Sequence, residues 1–214
     1  VIRALDEATV NAAVKEFDDA IESLKGVIAQ YNAVKDAIDA TALAKVDTLY
    51  AKVIADIDAA RPDADTTLEA KVATLENTFK ATTDTIKAIY DAYTADLGAI
   101  NATIADDRLT AVYATIIGAI TDDNAVAQKT TFEAVGTALK NVDAYNTAIV
   151  RVLYYADRAE DENDLVKIDA LFAKVVADIA PTADLTTVVD TYKANVAAVK
   201  TKALVIRDIF VALN

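Results

Sequence analysis

Residues 47–57 read DTLYAKVIADI, and two later stretches repeat the phrase, LTAVYATIIGAI at 109–120 and DALFAKVVADI at 169–179. Tyr50, Tyr113 and Phe172 hold the same place in it, about 60 residues apart, a period that predicts repeated helical units. A second phrase interleaves with the first: GVIAQYN at 26–32, TIKAIYDAY at 85–93, IVRVLYYA at 149–156 and VIRDIFVAL at 205–213. It brings Tyr31, Tyr90, Tyr154 and Phe210 into correspondence.

Outward from these phrases, the apolar residues fall at helical spacing. Val10, Val14, Phe17, Ile21, Leu24, Ile28, Tyr31, Val34 and Ile38 alternate by four and three, which predicts a long helix with one buried seam. The spacing returns at Leu68, Val72, Leu75, Phe79, Ile86, Tyr90, Tyr93 and Leu97, interrupted at Thr82 or Thr83. It returns again at Phe132, Val135, Leu139, Val142, Ile149, Leu153 and Ala156, and at Val189, Tyr192, Val196, Val199, Ala203, Ile206, Phe210 and Leu213. Each long helix would span about 40 Å at the α-helical rise, with Gly26 and Gly136 as points where two of them bend. Shorter apolar helices are expected at 43–58, 106–120 and 164–179.

The predicted fold is therefore all-α: a single-domain bundle, 1–214, of about seven helices. A lone long helix at 5–40 precedes short-long repeats at approximately 43–105, 106–163 and 164–214. Thr66-Thr67-Leu68-Glu69 and Thr130-Thr131-Phe132-Glu133 have capping-box spacing, although the second also fits the interior of a helix begun at Asp123 or Asn124. Arg61-Pro62-Asp63 and Ala180-Pro181-Thr182 occupy equivalent junctions, where proline stops a helix from propagating. The acidic run 158–164 reads as a solvated interhelix loop. Alanines beside the seams let helices approach closely.

Composition narrows function by exclusion. The 214 residues carry 21 basic and 34 acidic side chains, a net charge of −13, which argues against nucleic acid and anionic membrane surfaces as partners. No apolar run approaches the roughly 20 residues of a membrane span. His and Cys are absent and Ser23 is the single serine, so a Ser-His-Asp or Cys-His centre, a thiolate zinc site and a Glu-x-x-His di-iron site lack their residues. Four scattered glycines build no phosphate loop. Carboxylate pairs such as Asp18-Asp19, Asp106-Asp107 and Asp122-Asp123 read as surface or helix-start residues. Asp63-Ala64-Asp65 and 161–164 lack the EF-hand's glycine and closing glutamate. No enzyme, cofactor or metal site is expected. Met is also absent and the sequence begins at Val1, which suggests processing from a longer precursor.

The aromatic residues carry the ligand reading. If Tyr31, Tyr90, Tyr154 and Phe210 converge, they form the polar mouth of an apolar cavity, lined by Phe79, Ile86, Val199 and Ile206, that holds a fatty-acid-like molecule. Lys87, Arg151 and Arg207, each three residues before one of these rings, would pair with a carboxylate or complement a helix dipole. The plainer alternative is ordinary core packing copied by duplication. Asn101-Ala102-Thr103 is an N-glycosylation acceptor in an exported chain.

Leu5-Asp6-Glu7-Ala8-Thr9-Val10, continuing through Phe17-Asp18-Asp19-Ala20-Ile21 and Leu24 to Tyr31-Asn32, resembles the first helix of fungal hydrophobic-surface-binding and cell-wall galactomannoprotein domains. The resemblance spans about the first 150 residues as pattern. It implies a secreted, all-helical domain that encloses fatty acids or coats a hydrophobic surface, and it transfers no site residue. The third short-long unit and the scarcity of serine depart from that pattern. The expected function is non-enzymatic binding of an apolar small molecule or lipid, or surface coating, with homo-oligomers allowed. The alternative is a structural or self-assembling helical protein without a ligand.

Overall fold

The computed structural model describes residues 6–63, 66–156 and 163–213, with the side chains of 152–156, Asn163, Ile206, Arg207, 209–211 and Leu213 outside the description. It is an all-α helical bundle: α1 (Glu7–Lys35), α2 (Ala40–Ala59), α3 (Leu68–Leu97), α4 (Thr103–Ala119), α5 (Ala125–Ala156), α6 (Asn163–Asp178) and α7 (Leu185–Leu213). No strand occurs among the described residues. The long-short alternation matches the expected order, while several boundaries move for local reasons.

The first helix ends at Lys35 rather than near residue 40. Asp39 is held extended and its carboxylate accepts from the Ala42 amide at 2.9 Å, starting α2. A residue committed to capping the next helix cannot continue the previous one. At α3 the capping hydroxyl is that of Thr67, which accepts from Ala70 N at 3.2 Å, so the Thr66–Glu69 box does not form. Thr130 and Thr131 lie inside α5, which begins at Ala125. Pro62 and Pro181 lie just beyond the ends of α2 and α6, as expected.

The chain divides into two compact units, Val1–Tyr90 with Ile117–Lys129 and Asp91–Ile116 with Thr130–Asn214. In the first, Ala20, Val27 and Val34 of α1 are buried, as are Val46, Leu49 and Val53 of α2, Val72, Phe79, Ile86 and Ile89 of α3, and Ile117 and Ile120. Thr82 and Thr83, which interrupt the apolar stripe of α3, are also buried but partnered. The Thr83 hydroxyl donates to Phe79 O at 2.9 Å and accepts from Gln30 Nε2 at 2.9 Å, while that of Thr82 donates to Asp122 at 3.2 Å. Their polar atoms therefore enter the core without an unpaired donor.

In the second unit the core is Leu109, Val112, Tyr113 and Ile116 with Phe132, Val135, Leu139 and Val142 of α5, Ile168, Phe172, Val175 and Val176 of α6, and Val189, Tyr192 and Val196 of α7. Two buried aspartates accompany it. Asp96 pairs with Lys140 at 2.5 Å, and Asp143 accepts from the Asn101 backbone amide at 2.9 Å and from its side-chain amide at 3.3 Å.

Gly26 and Gly136 do not interrupt their helices. They provide space: a Cβ on Gly26 would overlap the Glu76 carboxylate, and one on Gly136 the Asp96 carboxylate. Long-range cations close two helix ends, where the last carbonyls have no intrahelical partner. Lys45 Nζ donates to Gly118 O at 3.2 Å, and Arg108 Nε donates to Ile179 O at 2.8 Å.

Candidate functional site

Two of the rings expected to line a cavity, Tyr31 and Phe79, pack against Tyr50. In the first unit Tyr31 stacks on Tyr50 at 4.3 Å between centroids and 25° between planes, and Tyr50 meets Phe79 at 6.1 Å. The Tyr31 hydroxyl donates to Asp47 at 2.9 Å. That hydrogen bond to a carboxylate raises the phenol above its ordinary range, with lesser upward contributions from burial and neighbouring charge. Phe79 is 3% exposed and Ile86 is 0%, so both are core residues of this unit.

In the second unit the ring stacked on Tyr113 is Tyr93, at 4.2 Å and 8°. Tyr90, one helical turn earlier and half-buried, belongs to the first unit. Tyr113 meets Phe132 edge-on at 6.1 Å, and Tyr93 shares a hydrogen bond with the Thr110 hydroxyl at 3.1 Å. A further ring group joins Phe172 to Tyr192 at 6.4 Å and Tyr192 to Tyr145 at 6.0 Å. The Tyr192 hydroxyl donates to Asn146 at 3.0 Å, and burial pushes its pKa well up. Val199 is half-buried. The side chains of Tyr154, Ile206 and Phe210 lie outside the described residues.

Hollows occur elsewhere. A groove of about 650 Å³ runs beside Ala59, Arg61, Lys71, Thr74 and Leu75. One of about 560 Å³ lies between α5 and α7, lined partly by Glu133, Thr137, Asn141, Asp190 and Lys193. A cleft between α6 and α7 holds about 170 Å³ beside Val175, Val188 and Tyr192, less than the roughly 300 Å³ at which ligand pockets begin. The first two are shallow and carry charged rims. None of these three includes a member of the expected ligand set; Phe79 lines a crevice of about 20 Å³ beside Leu49, Val53 and Leu75, room for about one water molecule.

The feature that stands apart is on α1. Val10, Val14, Phe17 and Ile28 are exposed by 43, 54, 60 and 40%, with Ile21 and Leu24 half-buried between them. These are the residues whose spacing predicted a buried seam, and for the first half of the helix that expectation is wrong. α1 instead buries Ala20 and Val27, which lie beside that seam, together with Val34, which was expected in it. Gly26 leaves room for the Glu76 carboxylate of α3, and two hydrogen bonds tie the same helices, Glu16 accepting from the Leu68 amide and Gln30 donating to Asp84 at 2.8 Å. The larger side chains are left in water. The stripe covers roughly 27 Å of helix from Val10 to Ile28 at the α-helical rise.

The chemistry available is limited. Among the described residues Asp106 is the titratable group whose unusual setting also leaves an atom unsatisfied: its Oδ1 is buried without a hydrogen-bond partner. Burial first, then the charges of Asp143 and Asp107, hold its carboxyl above the usual range. Neither Asp106 nor Asp143 lines one of the three hollows described above. Among the described residues no group of three or more His, Cys, Asp or Glu is placed to hold a metal ion, and no helix is long and apolar enough to cross a membrane. Asn101, the glycosylation acceptor, has its side-chain amide engaged by Asp143. Sequence reasoning did not assign a site role to Tyr93, Tyr145, Tyr192 or Asp143; the available signal for Tyr93 was its place in the α3 seam one turn from Tyr90. Set against protein families, curated proteins and solved structures, the chain matches none.

Proposed function

We propose that the protein works without covalent chemistry, by laying the apolar stripe of α1 on a hydrophobic surface such as a lipid or other amphiphile layer. The observation that carries this reading is the exposure of Val10, Val14, Phe17 and Ile28 along one line of a helix. Isolated apolar residues on a surface need no explanation, but a contiguous stripe of this kind marks an interaction site. Covering roughly 300 Å² of it is worth about 7 kcal/mol before the costs of association.

Packing of Phe79 and Ile86 into the core favours surface coating over enclosure of a fatty acid. The absence of His and Cys and the single serine support a non-enzymatic role. Export would bring such a stripe to apolar surfaces outside the cell, and the resemblance of residues 5–32 to hydrophobic-surface-binding domains supports that setting.

Adsorption isotherms on octyl-coated and bare silica beads test the proposal. Wild type is expected to favour the octyl surface, and Val14→Ser with Phe17→Ser to lower that affinity at least tenfold with the helical circular dichroism unchanged. Equal adsorption of the double variant overturns the proposal.

A further inference from the structure

The stripe has the organisation of half a helix pair. Val10, Phe17, Leu24 and Tyr31 occupy one seam position of a heptad, and Val14, Ile21 and Ile28 the other. On one flank lie Ala13, Ala20 and Val27, of which Ala20 and Val27 are buried within the protein's own first unit. On the opposite flank lie Asn11, Asp18, Lys25 and Asn32, all exposed. A helix docking on the seam therefore meets the second flank, because the first is already occupied.

We propose that the occupant is α1 of a second copy, antiparallel about a two-fold axis that passes between Ile21 and Leu24. An isologous contact needs a surface complementary to itself, and this one is. In that register Ile21 faces Leu24 of the other copy, Phe17 faces Ile28, and Val14 faces Tyr31. On the open flank Asp18 of each copy faces Lys25 of the other and Asn11 faces Asn32. Lys25, which in the single chain bonds Glu22 at 2.5 Å, exchanges a local exposed partner for one across the pair. A parallel pair would bring each charged flank against the alanine flank and leave Asp18 and Lys25 without opposite charges across the seam. The inference rests on the stripe used in the surface-coating reading and adds its regulation: two copies cover each other's stripes until an apolar surface offers a larger contact. The apolar area, roughly 300 Å² per copy, falls short of the about 800 Å² per partner of a standard stable interface, so the pair is weak and dissociates on dilution.

Sedimentation velocity of the full chain from about 1 to 100 μM, where contacts of this size dissociate, reads the equilibrium. Wild type is expected to pass from monomer to dimer. Asp18→Lys alone and Lys25→Asp alone each place like charges opposite and should weaken pairing at least tenfold, while an equimolar mixture of the two variants restores opposite charges on both sides and should recover wild-type affinity. Both positions are exposed, so the changes are compatible with an intact fold, which circular dichroism verifies. A wild type that stays monomeric throughout, or a dimer indifferent to both charge changes, overturns the pairing. Octyl-bead adsorption separates the two readings. A monomer that adsorbs through Phe17 refutes pairing and leaves surface coating standing, whereas a dimer sensitive to the charge changes that never adsorbs refutes coating and supports pairing.

Discussion

α1 and α5 carry the same four-three apolar spacing and use it in opposite ways. Phe17 on α1 is 60% exposed, whereas Phe132 on α5 is 0% exposed, and Val135, Leu139 and Val142 follow it into the core. Both helices also contain one interior glycine set against a carboxylate of α3, Gly26 against Glu76 and Gly136 against Asp96. The contrast shows that periodicity determines the line along which a helix is apolar, while coverage of that line depends on neighbours distant in sequence. In α5 the apolar line is the covered line. In α1 the covered line consists of Ala20, Val27 and Val34, and the larger side chains are left outside.

The largest expected difference is between the two phenylalanines. Phe132→Ala should cost about 3–5 kcal/mol through the lost burial and the cavity it leaves, while Phe17→Ala should change stability by less than about 0.5 kcal/mol. Urea unfolding monitored by circular dichroism measures both, and similar costs would erase the distinction between the helices.

The glycines give a smaller contrast. Gly136→Ala drives a Cβ into Asp96, which is 7% exposed and held by Lys140, and should destabilise by about 1–3 kcal/mol. Gly26→Ala meets the end of a flexible, half-buried Glu76, which can rotate away. Its helix-propensity gain of up to about 1 kcal/mol then leaves it neutral or stabilising.

The smallest effect is electrostatic. Because the Asp106 carboxyl is held above its ordinary value of 3.8, its protonated form favours the folded state. The stability it contributes is fully present below that ordinary value and is lost as pH rises through the raised one. Asp106→Asn should therefore match wild type near pH 3 and exceed it at pH 7, and Asp143→Asn should narrow that gap by removing a neighbouring charge. On α1, Asp19→Asn removes only a surface ion pair with Lys15 and should leave the unfolding midpoint unmoved. Denaturation at the two pH values checks all three.

Much of the fold was legible because helices are specified locally. The long-short order followed from apolar spacing, and the proline junctions marked where α2 and α6 stop. The placement of Tyr50, Tyr113 and Phe172 in short helices also followed directly. The candidate site was less legible for geometric reasons. Tyr90 and Tyr93 lie one turn apart on the same side of a helix, so aligned phrases do not decide which one stacks on Tyr113. Phe79 and Ile86 have the composition of a cavity wall and of a core alike, and only their neighbours distinguish the two. The exposed half of α1 was misread because apolar spacing shows where an apolar line runs, whereas the burial of Ala20 and Val27 beside it depends on neighbours distant in sequence.

The two cations that close distant helix ends also set a timetable for synthesis. Lys45 and Gly118 are separated by 73 positions, and Arg108 and Ile179 by 71. In both cases the donor is the earlier residue. At ribosomal rates of about 5–20 residues per second, each acceptor carbonyl is made roughly 4–15 s after its donor. A nascent chain thus holds each of these cations ready before the helix end it will close, α2 supplying the one for α4 and α4 the one for the end of α6.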